Sequence, residues 1–246
     1  MFLASVFDEE GVDALGPYVP AFKVASYEMT HLPLLRYIGR LGKPVLLSTG
    51  TATMEEVEAA VSAFLETGNE HLALLQCTAA YPAPVSALNL RAICSMRERF
   101  NLPVGLSDHS RDPFVGPMAA VALGAALIEK HFTLSNLLPG PDHRFAVEPS
   151  ELRQMILGIR GVEAALGSGE KAPHAVEAEL RAFARRAIFT TRDIQPGEPF
   201  SRENIAVLRC GKLRPGLVPA EYERLLGRRA SRHIAADTGV QSVDVT

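Results

Sequence analysis

Pro103-Val-Gly-Leu-Ser-Asp-His109 and, one helical pattern later, Ala125-Ala-Leu-Ile-Glu-Lys-His-Phe132 are the stretches whose reading decides the fold. Each is a short apolar run that ends in ionisable residues. Runs that are apolar on both faces suit the strands of a covered parallel sheet. Working outward, the same kind of run recurs at Phe2–Val6, Ala21–Ala25, Pro44–Ser48 and His71–Thr78. Between them, Asp8–Leu15, Leu32–Leu41, Met54–Thr67, Ala87–Phe100, Pro113–Gly124 and Pro149–Leu166 carry apolar residues at helical spacing. Thr53 with Glu56 predicts a capping box at the start of the third of these.

The pattern is βα repeated about six times. An open doubly wound sheet and a (β/α)8 barrel both fit such an alternation. The polar residues favour the barrel. Lys23–Ser26, Ser48–Thr49, Tyr81, Ser107–His109 and Glu129–His131 all fall at or just past strand C-termini, which converge on one face of a barrel. In an open sheet they would be strung along an edge, with only the switch point mattering. The breaker-rich run Gly167-Ser-Gly-Glu-Lys-Ala-Pro173 then ends the last helix. The expected division is a partial barrel over residues 1–167, a linker over 168–182, and a small domain of short strands and turns over 183–246.

Composition excludes several classes. Of 246 residues, 47% are apolar and 22% charged, as in ordinary globular proteins, and the formal net charge is -3. No Lys/Arg stripe suggests nucleic acid as a partner. The opening apolar run meets Asp8, Glu9 and Glu10 too soon for a signal peptide, and Phe114–Ile128 is too short to span a bilayer. Cys77, Cys94 and Cys210 show no metal-type spacing, so a reduced, cytoplasmic chain is expected.

Several residues carry chemistry. His109 and His131 end consecutive strands, which lie about 4.8 Å apart in a sheet. They are either a two-histidine site for a divalent ion with open coordination positions or a pair of hydrogen-bonded structural histidines. Lys23, Ser26, Ser48, Thr49 and Ser107 offer one cation and several hydroxyls, a set suited to a small anion bearing carboxylate and phosphate, or else ordinary loop polarity. Lys23, between Phe22 and Val24, needs a counter-charge or a ligand. Pro139-Gly-Pro-Asp142-His143 is a rigid turn that aims a carboxylate. Glu28 is a solvated or ion-paired loop residue or an acid/base group. Tyr81 caps a ligand or simply packs.

The segments FLASVFD (2–8), KVASYE (23–28), GKPVLLSTG (42–50), LLQCTAAYPAP (74–84), LPVGLSDHS (102–110), ALIEKHFT (126–133) and PGPDH (139–143) resemble, in order and spacing, the N-acetylneuraminate (sialic acid) synthase family. The tail, with RRAIFTTRDIQPGEPFSRENIAVLR (185–209) and LLGRRA (225–230), resembles that family's antifreeze-like (SAF) domain. The resemblance implies an α/β fold, an incomplete TIM-type barrel of about six βα units followed by a β-rich SAF domain. It implies condensation of phosphoenolpyruvate with an N-acyl hexosamine such as N-acetylmannosamine to a nonulosonic acid and phosphate. His109 and His131 would hold the divalent metal, Mn2+ or Mg2+. Ser5, Lys23, Ser26, Ser48, Tyr81 and Ser107 would contact phosphoenolpyruvate, and Glu28, Glu129 and Asp142 would lie around the sugar and the metal. Arg209 would reach the sugar's acyl-amino group from the other subunit of a homodimer, with Arg214, in a second Arg-Pro-Gly, as the alternative contact.

Two departures from the family pattern stand out. Ala79 replaces the usual Asn or Ser, and Arg209-Cys-Gly replaces the usual Arg-Pro-Gly. A closed barrel needs eight strands, so the chain is expected to be N-terminally truncated, and the resemblance implies that the missing units carry a first-strand Glu and a second-strand Lys. Two function classes therefore stand: a synthase, and a non-catalytic remnant that binds sugar or dimerises through its SAF domain.

Overall fold

The computed structural model describes residues 1–246, and the chain divides into two compact units, Met1–Gly169 and Glu170–Thr246. In the first, strands and helices alternate: β1 (Ala4–Val6), α1 (Glu9–Leu15), β2 (Phe22–Val24), α2 (Leu32–Arg40), β3 (Val45–Ser48), α3 (Met54–Leu65), β4 (Leu72–Cys77), α4 (Ala92–Phe100), β5 (Val104–Asp108), α5 (Val115–Ala122), β6 (Ile128–Lys130) and α6 (Pro149–Leu166). The six strands form one parallel sheet in the order β1-β2-β3-β4-β5-β6. That order separates the two expected architectures. Right-handed crossovers in unbroken sequence put every helix on the same side of the sheet, as in a barrel wall, whereas a doubly wound sheet reverses its order. Six of a barrel's eight strands are present, and β1 and β6 are the sheet edges.

The register divides the strand residues between two faces. Ser5 pairs with Lys23 and Lys23 with Leu46; Ser48 pairs with Leu75, Cys77 with Ser107, and Ser107 with Glu129. Because alternate side chains point to opposite faces, these residues share one side. The other side carries Val6, Phe22, Val24, Val45, Leu47, Leu72, Leu74, Val104 and Leu106, all buried in one cluster with Val12, Leu34, Ile38, Val57, Phe64, Ile93 and Ala120 of the helices. The core therefore lies between sheet and helices, and the opposite face, apolar at Leu46 and Leu75, turns polar toward the strand C-termini.

Local signals set the helix ends. Asp8 accepts from Gly11 N at 2.7 Å to start α1. The capping box before α3 is present, with Glu56 N on Thr53 Oγ1 at 3.3 Å and Thr53 N on Glu56 Oε2 at 2.8 Å. Asn101, with φ 52°, ends α4.

The second unit contains α7 (Ala178–Ala184), β7 (Arg186–Thr190), β8 (Ile205–Arg209) and α8 (Tyr222–Leu225), with β7 antiparallel to β8. Isolated bridges such as Ile194–Ile234 and Ala230–Val245 close it around Ile188, Ile194, Phe200, Ile205, Leu225, Ile234 and Val240. The stretch expected as a linker over 168–182 holds a 3-10 turn at Ala175–Glu177 and most of α7. His174 and Glu177 form a capping box there, so the breakers act only over Gly167–Pro173. No helix is long and apolar enough to cross a membrane.

Two substitutions probe this account of the first unit. Phe64→Ala, which empties a fully buried site, is expected to cost about 3–5 kcal/mol. Thr53→Ala, which removes one cap, is expected to cost about 1 kcal/mol. Urea unfolding of each variant gives the comparison, and equal losses would contradict a core placed between sheet and helices.

Candidate active site

The polar face of the sheet opens at the strand C-termini into a cavity of about 540 Å³. Ser5, Lys23, Ser26, Ser48, Tyr81, Ser107, His109, Glu129, His131 and Asp142 all line it. Other expected residues do not, among them Thr49, whose hydroxyl donates to Leu75 O at 3.0 Å. Glu28 follows Tyr27 in the 3-10 turn after β2 and is absent from the lining, with its Oε2 buried and without a hydrogen-bond partner. Arg209 is exposed at the end of β8 in the second unit, paired in register with Arg186, and Arg214 also belongs to that unit.

Lys23 is buried at 8% exposure. Its ammonium donates to Ser48 Oγ at 2.8 Å and to Val24 O at 3.3 Å. Its counter-charge is Glu129, whose Oε2 is 3.6 Å away and whose side chain is 42% exposed. Glu129 Oε1 accepts from Ser107 Oγ at 2.6 Å. Ser26 Oγ accepts from Gly50 N at 3.0 Å, and a Cβ at Gly50 would stand 2.8 Å from that oxygen, so a glycine lets the β3 loop close on Ser26. The result is a buried cation bonded to one hydroxyl and one exposed carboxylate, with the Ser26 and Ser107 hydroxyls on the same cavity wall, a site able to receive a small anion.

The two imidazoles stand side by side, ring centroids 5.2 Å apart and planes at 66°. Tyr81 lies over His109 at 4.3 Å between centroids, and Phe145 lies 5.1 Å from His131. His109 Nδ1 is 3.1 Å from Thr78 O. A carbonyl only accepts, so Nδ1 carries the proton and Nε2 keeps its lone pair. Burial pushes the His109 pKa down, opposed by that hydrogen bond and reinforced by the neighbouring His131. Asp142 Oδ2 lies 3.7 Å from His131 Nδ1. No group of three or more His, Cys, Asp or Glu side chains is disposed to hold a metal ion. What the cavity offers a cation is thus two adjacent imidazoles, with Nε2 of His109 as an available nitrogen donor, short of a complete protein ligand set.

Tyr27, Cys77, Asp108 and Lys130 also line the cavity, and the sequence reading assigned them no role. For Cys77 the signal was available in strand parity, since it shares a face with Ser107; burial pushes its thiol pKa up. Asp108 and Lys130 lie one residue off that face, in register with each other.

Comparison with known proteins gives the family. The NeuB family matches residues 1–171 and the SAF domain residues 185–246. The chain is 46% identical to the spore coat polysaccharide biosynthesis protein SpsE of Bacillus subtilis, over 100% of this chain and 70% of that protein. It is 38% identical to an N,N'-diacetyllegionaminic acid synthase of Legionella pneumophila, over 96% of this chain and 67% of that one. The crystal structure of N-acetylneuraminic acid (sialic acid) synthetase from Leptospira borgpetersenii, in complex with citrate, superposes with a TM-score of 0.67 at 35% identity, over 72% of this chain and 62% of that one. The chain thus spans about two thirds of the length of these relatives.

The lowered His109 pKa has a sign that can be checked. Protonation there favours the unfolded chain, so its contribution to stability is complete above the ordinary value of 6.5 and falls as pH drops from 6.5 toward the lowered value. Imidazole NMR titration is expected to show His109 protonating below 6.5. A midpoint at or above 6.5 would contradict the burial described.

Proposed function

This chain belongs to the NeuB family, with an SAF domain after it, and on that premise we propose that it acts in nonulosonic acid synthesis, condensing phosphoenolpyruvate with an N-acyl hexosamine of the N-acetylmannosamine type. The observation that carries the reading is one cavity lined by both a buried cation with several serine hydroxyls and a pair of imidazoles. Phosphoenolpyruvate needs the first and a sugar aldehyde needs polarisation beside the second.

In this reading Lys23, Ser48, Ser26 and Ser107 bind the carboxylate and phosphate of phosphoenolpyruvate, with Ser5 and Tyr81 at the rim. Charge-assisted hydrogen bonds from a buried ammonium are the strongest available to an anion. His109 and His131 hold a divalent ion, Mn2+ or Mg2+, which when bound supplies Lewis-acid polarisation of the aldehyde. The reaction forms a bond from C3 of phosphoenolpyruvate to the aldehyde carbon, and the aldehyde oxygen gains a proton. Water adds at the cationic C2 and loses a proton, and cleavage of the C2–O bond then releases phosphate and leaves the ketone. Glu129, beside Lys23, is the carboxylate assigned to take the water's proton. Asp142, beside His131, is assigned to the sugar's hydroxyls, and Glu28, outside the lining, is given no part in the reaction. Arg209 is assigned to the acyl-amino group, acting across a homodimer.

Calorimetric titration with phosphoenolpyruvate tests the first half of the proposal. Lys23→Ala is expected to weaken binding about 10- to 100-fold, the effect of losing hydrogen bonds to a charged group. Unchanged affinity in that variant would remove Lys23 from the site. Phosphate release and nonulosonic acid formation with Mn2+ and N-acetylmannosamine, or its diacylated analogues, test the second half. Binding without turnover would favour the non-catalytic, sugar-binding alternative.

The homodimer has its own test. Chains carrying Arg209→Ala are mixed with chains carrying His131→Ala. Recovery of activity in the mixture is the expected result if Arg209 acts across subunits, and no recovery would count against it.

A further inference from the structure

The two lysines of the cavity differ in what holds them. Lys23, on the polar face, has a half-exposed partner 3.6 Å away. Lys130 has none of that freedom. Its side chain is 3% exposed and bonds at 2.7 Å to Asp108, whose side chain is 0% exposed. The same ammonium donates to Ser110 O at 2.6 Å and to Asp112 O at 2.9 Å, with Ser110 Oγ at 3.3 Å. Asp108 Oδ1 in turn accepts from Ser110 N at 2.8 Å. Every donor of Lys130 is thus spent on the protein, and the pair is sealed from the helix side. A Cβ at Gly116 of α5 would stand 2.9 Å from Asp108 Oδ2, so the helix packs directly against the carboxylate.

Both imidazoles hang on this node. His109 lies between Asp108 and Ser110, each tied to Lys130, and His131 is the residue after Lys130. Asp108 and Lys130 are register partners, so the ion pair clamps the two strands on the rung just before the histidines. Beyond it, the β5 strand end is fixed by Ala83 N on His109 O at 3.0 Å and the β6 end by Val147 N on His131 O at 2.8 Å.

We infer that the buried Asp108–Lys130 pair is a positioning device that sets the spacing of the His109 and His131 rings and so tunes the affinity of the ion they hold. The inference rests on the reading of those histidines as a metal-holding pair. Neither Asp108 nor Lys130 is assigned to substrate; both act through the imidazoles. A buried charge left without its partner is destabilising, so single removals such as Lys130→Met are poor probes. The paired replacement Asp108→Asn with Lys130→Gln removes both charges and keeps a hydrogen-bonding pair.

The test is a Co2+ titration of the whole chain followed by visible absorption, alongside thermal unfolding. The unmodified chain is expected to bind Co2+, and His109→Ala and His131→Ala are each expected to abolish the bands. The paired variant is expected to melt cooperatively yet bind Co2+ about 10- to 100-fold more weakly, the usual effect of losing groups that orient metal ligands, with shifted bands. A folded paired variant with unchanged affinity and bands overturns the inference. So does one that fails to melt cooperatively, because the pair would then serve the fold as a whole. If the unmodified chain binds no Co2+, the metal reading fails and ring-to-ring nuclear Overhauser contacts between His109 and His131 decide the positioning role. Their loss in the folded paired variant supports it, and their persistence overturns it.

Discussion

The pleat of a β-strand imposes the constraint on which the first unit depends. Successive side chains must face opposite sides of the sheet, and six strands in parallel register extend that rule across the whole wall. One parity, Phe22, Val24, Val45, Leu47, Leu74, Val104 and Leu106, is apolar and meets the helices. The other, Ser5, Lys23, Ser48, Cys77, Ser107 and Glu129, becomes increasingly polar toward the strand C-termini and lines the cavity. A register slip of one residue in β2 or β6 would send Lys23 or Glu129 under the helices and an apolar residue into the site. Register is therefore what couples the stability of the core to the composition of the site.

Parity also explains why neighbouring charges behave differently. Glu129 and Lys130 adjoin in sequence but face opposite sides. Glu129 reaches the cavity and stays half exposed; Lys130 touches the cavity wall but buries its ammonium against Asp108, where a charge must be paired and its donors satisfied. The hydrophobic layer therefore selects Asp108 as its partner and the carbonyls of Ser110 and Asp112 as its remaining acceptors. The cluster Glu129-Lys130-His131 thus puts all three residues on the cavity wall, with the donors of Lys130 spent on the framework.

The alternation of strands and helices was legible because each run is short and apolar and each helix carries local end signals, as at Thr53 and Glu56. Boundaries were less legible where apolar residues bridge two elements. The run expected as a strand over Ala125–Phe132 is strand only at Ile128–Lys130. Ala125 N instead bonds back to Ala120 O, closing the end of α5. The helix expected from Ala87 begins at Ala92, because Val85–Ala87 forms a 3-10 turn and Asn89 takes φ 45°. Most site residues were legible as polar residues at strand ends. The Asp108–Lys130 pair was visible as letters but not as a contact, since a contact across two strands depends on register and no local pattern carries it. Glu28 illustrates the converse: its place after Lys23 suggested the cavity, yet the 3-10 turn at Ser26–Glu28 leaves it outside the lining.

In the proposed reading, the Lys23–Glu129 pair would set the terms on which the cavity accepts an anion. At 3.6 Å, with the carboxylate 42% exposed and the ammonium buried, it is an ion pair whose carboxylate can leave only where another anion takes its place beside the ammonium. The ammonium itself is fixed by Ser48, so it cannot follow Glu129 into solvent. An incoming carboxylate or phosphate therefore meets a cation whose position is already determined and a counter-ion able to move away. Released from Lys23, Glu129 would still be held by Ser107 through Oε1, leaving Oε2 free at the edge of the bound anion. The group displaced by binding is thereby kept within reach of the anion that displaced it, which is where a carboxylate acting on water at that anion would have to stand.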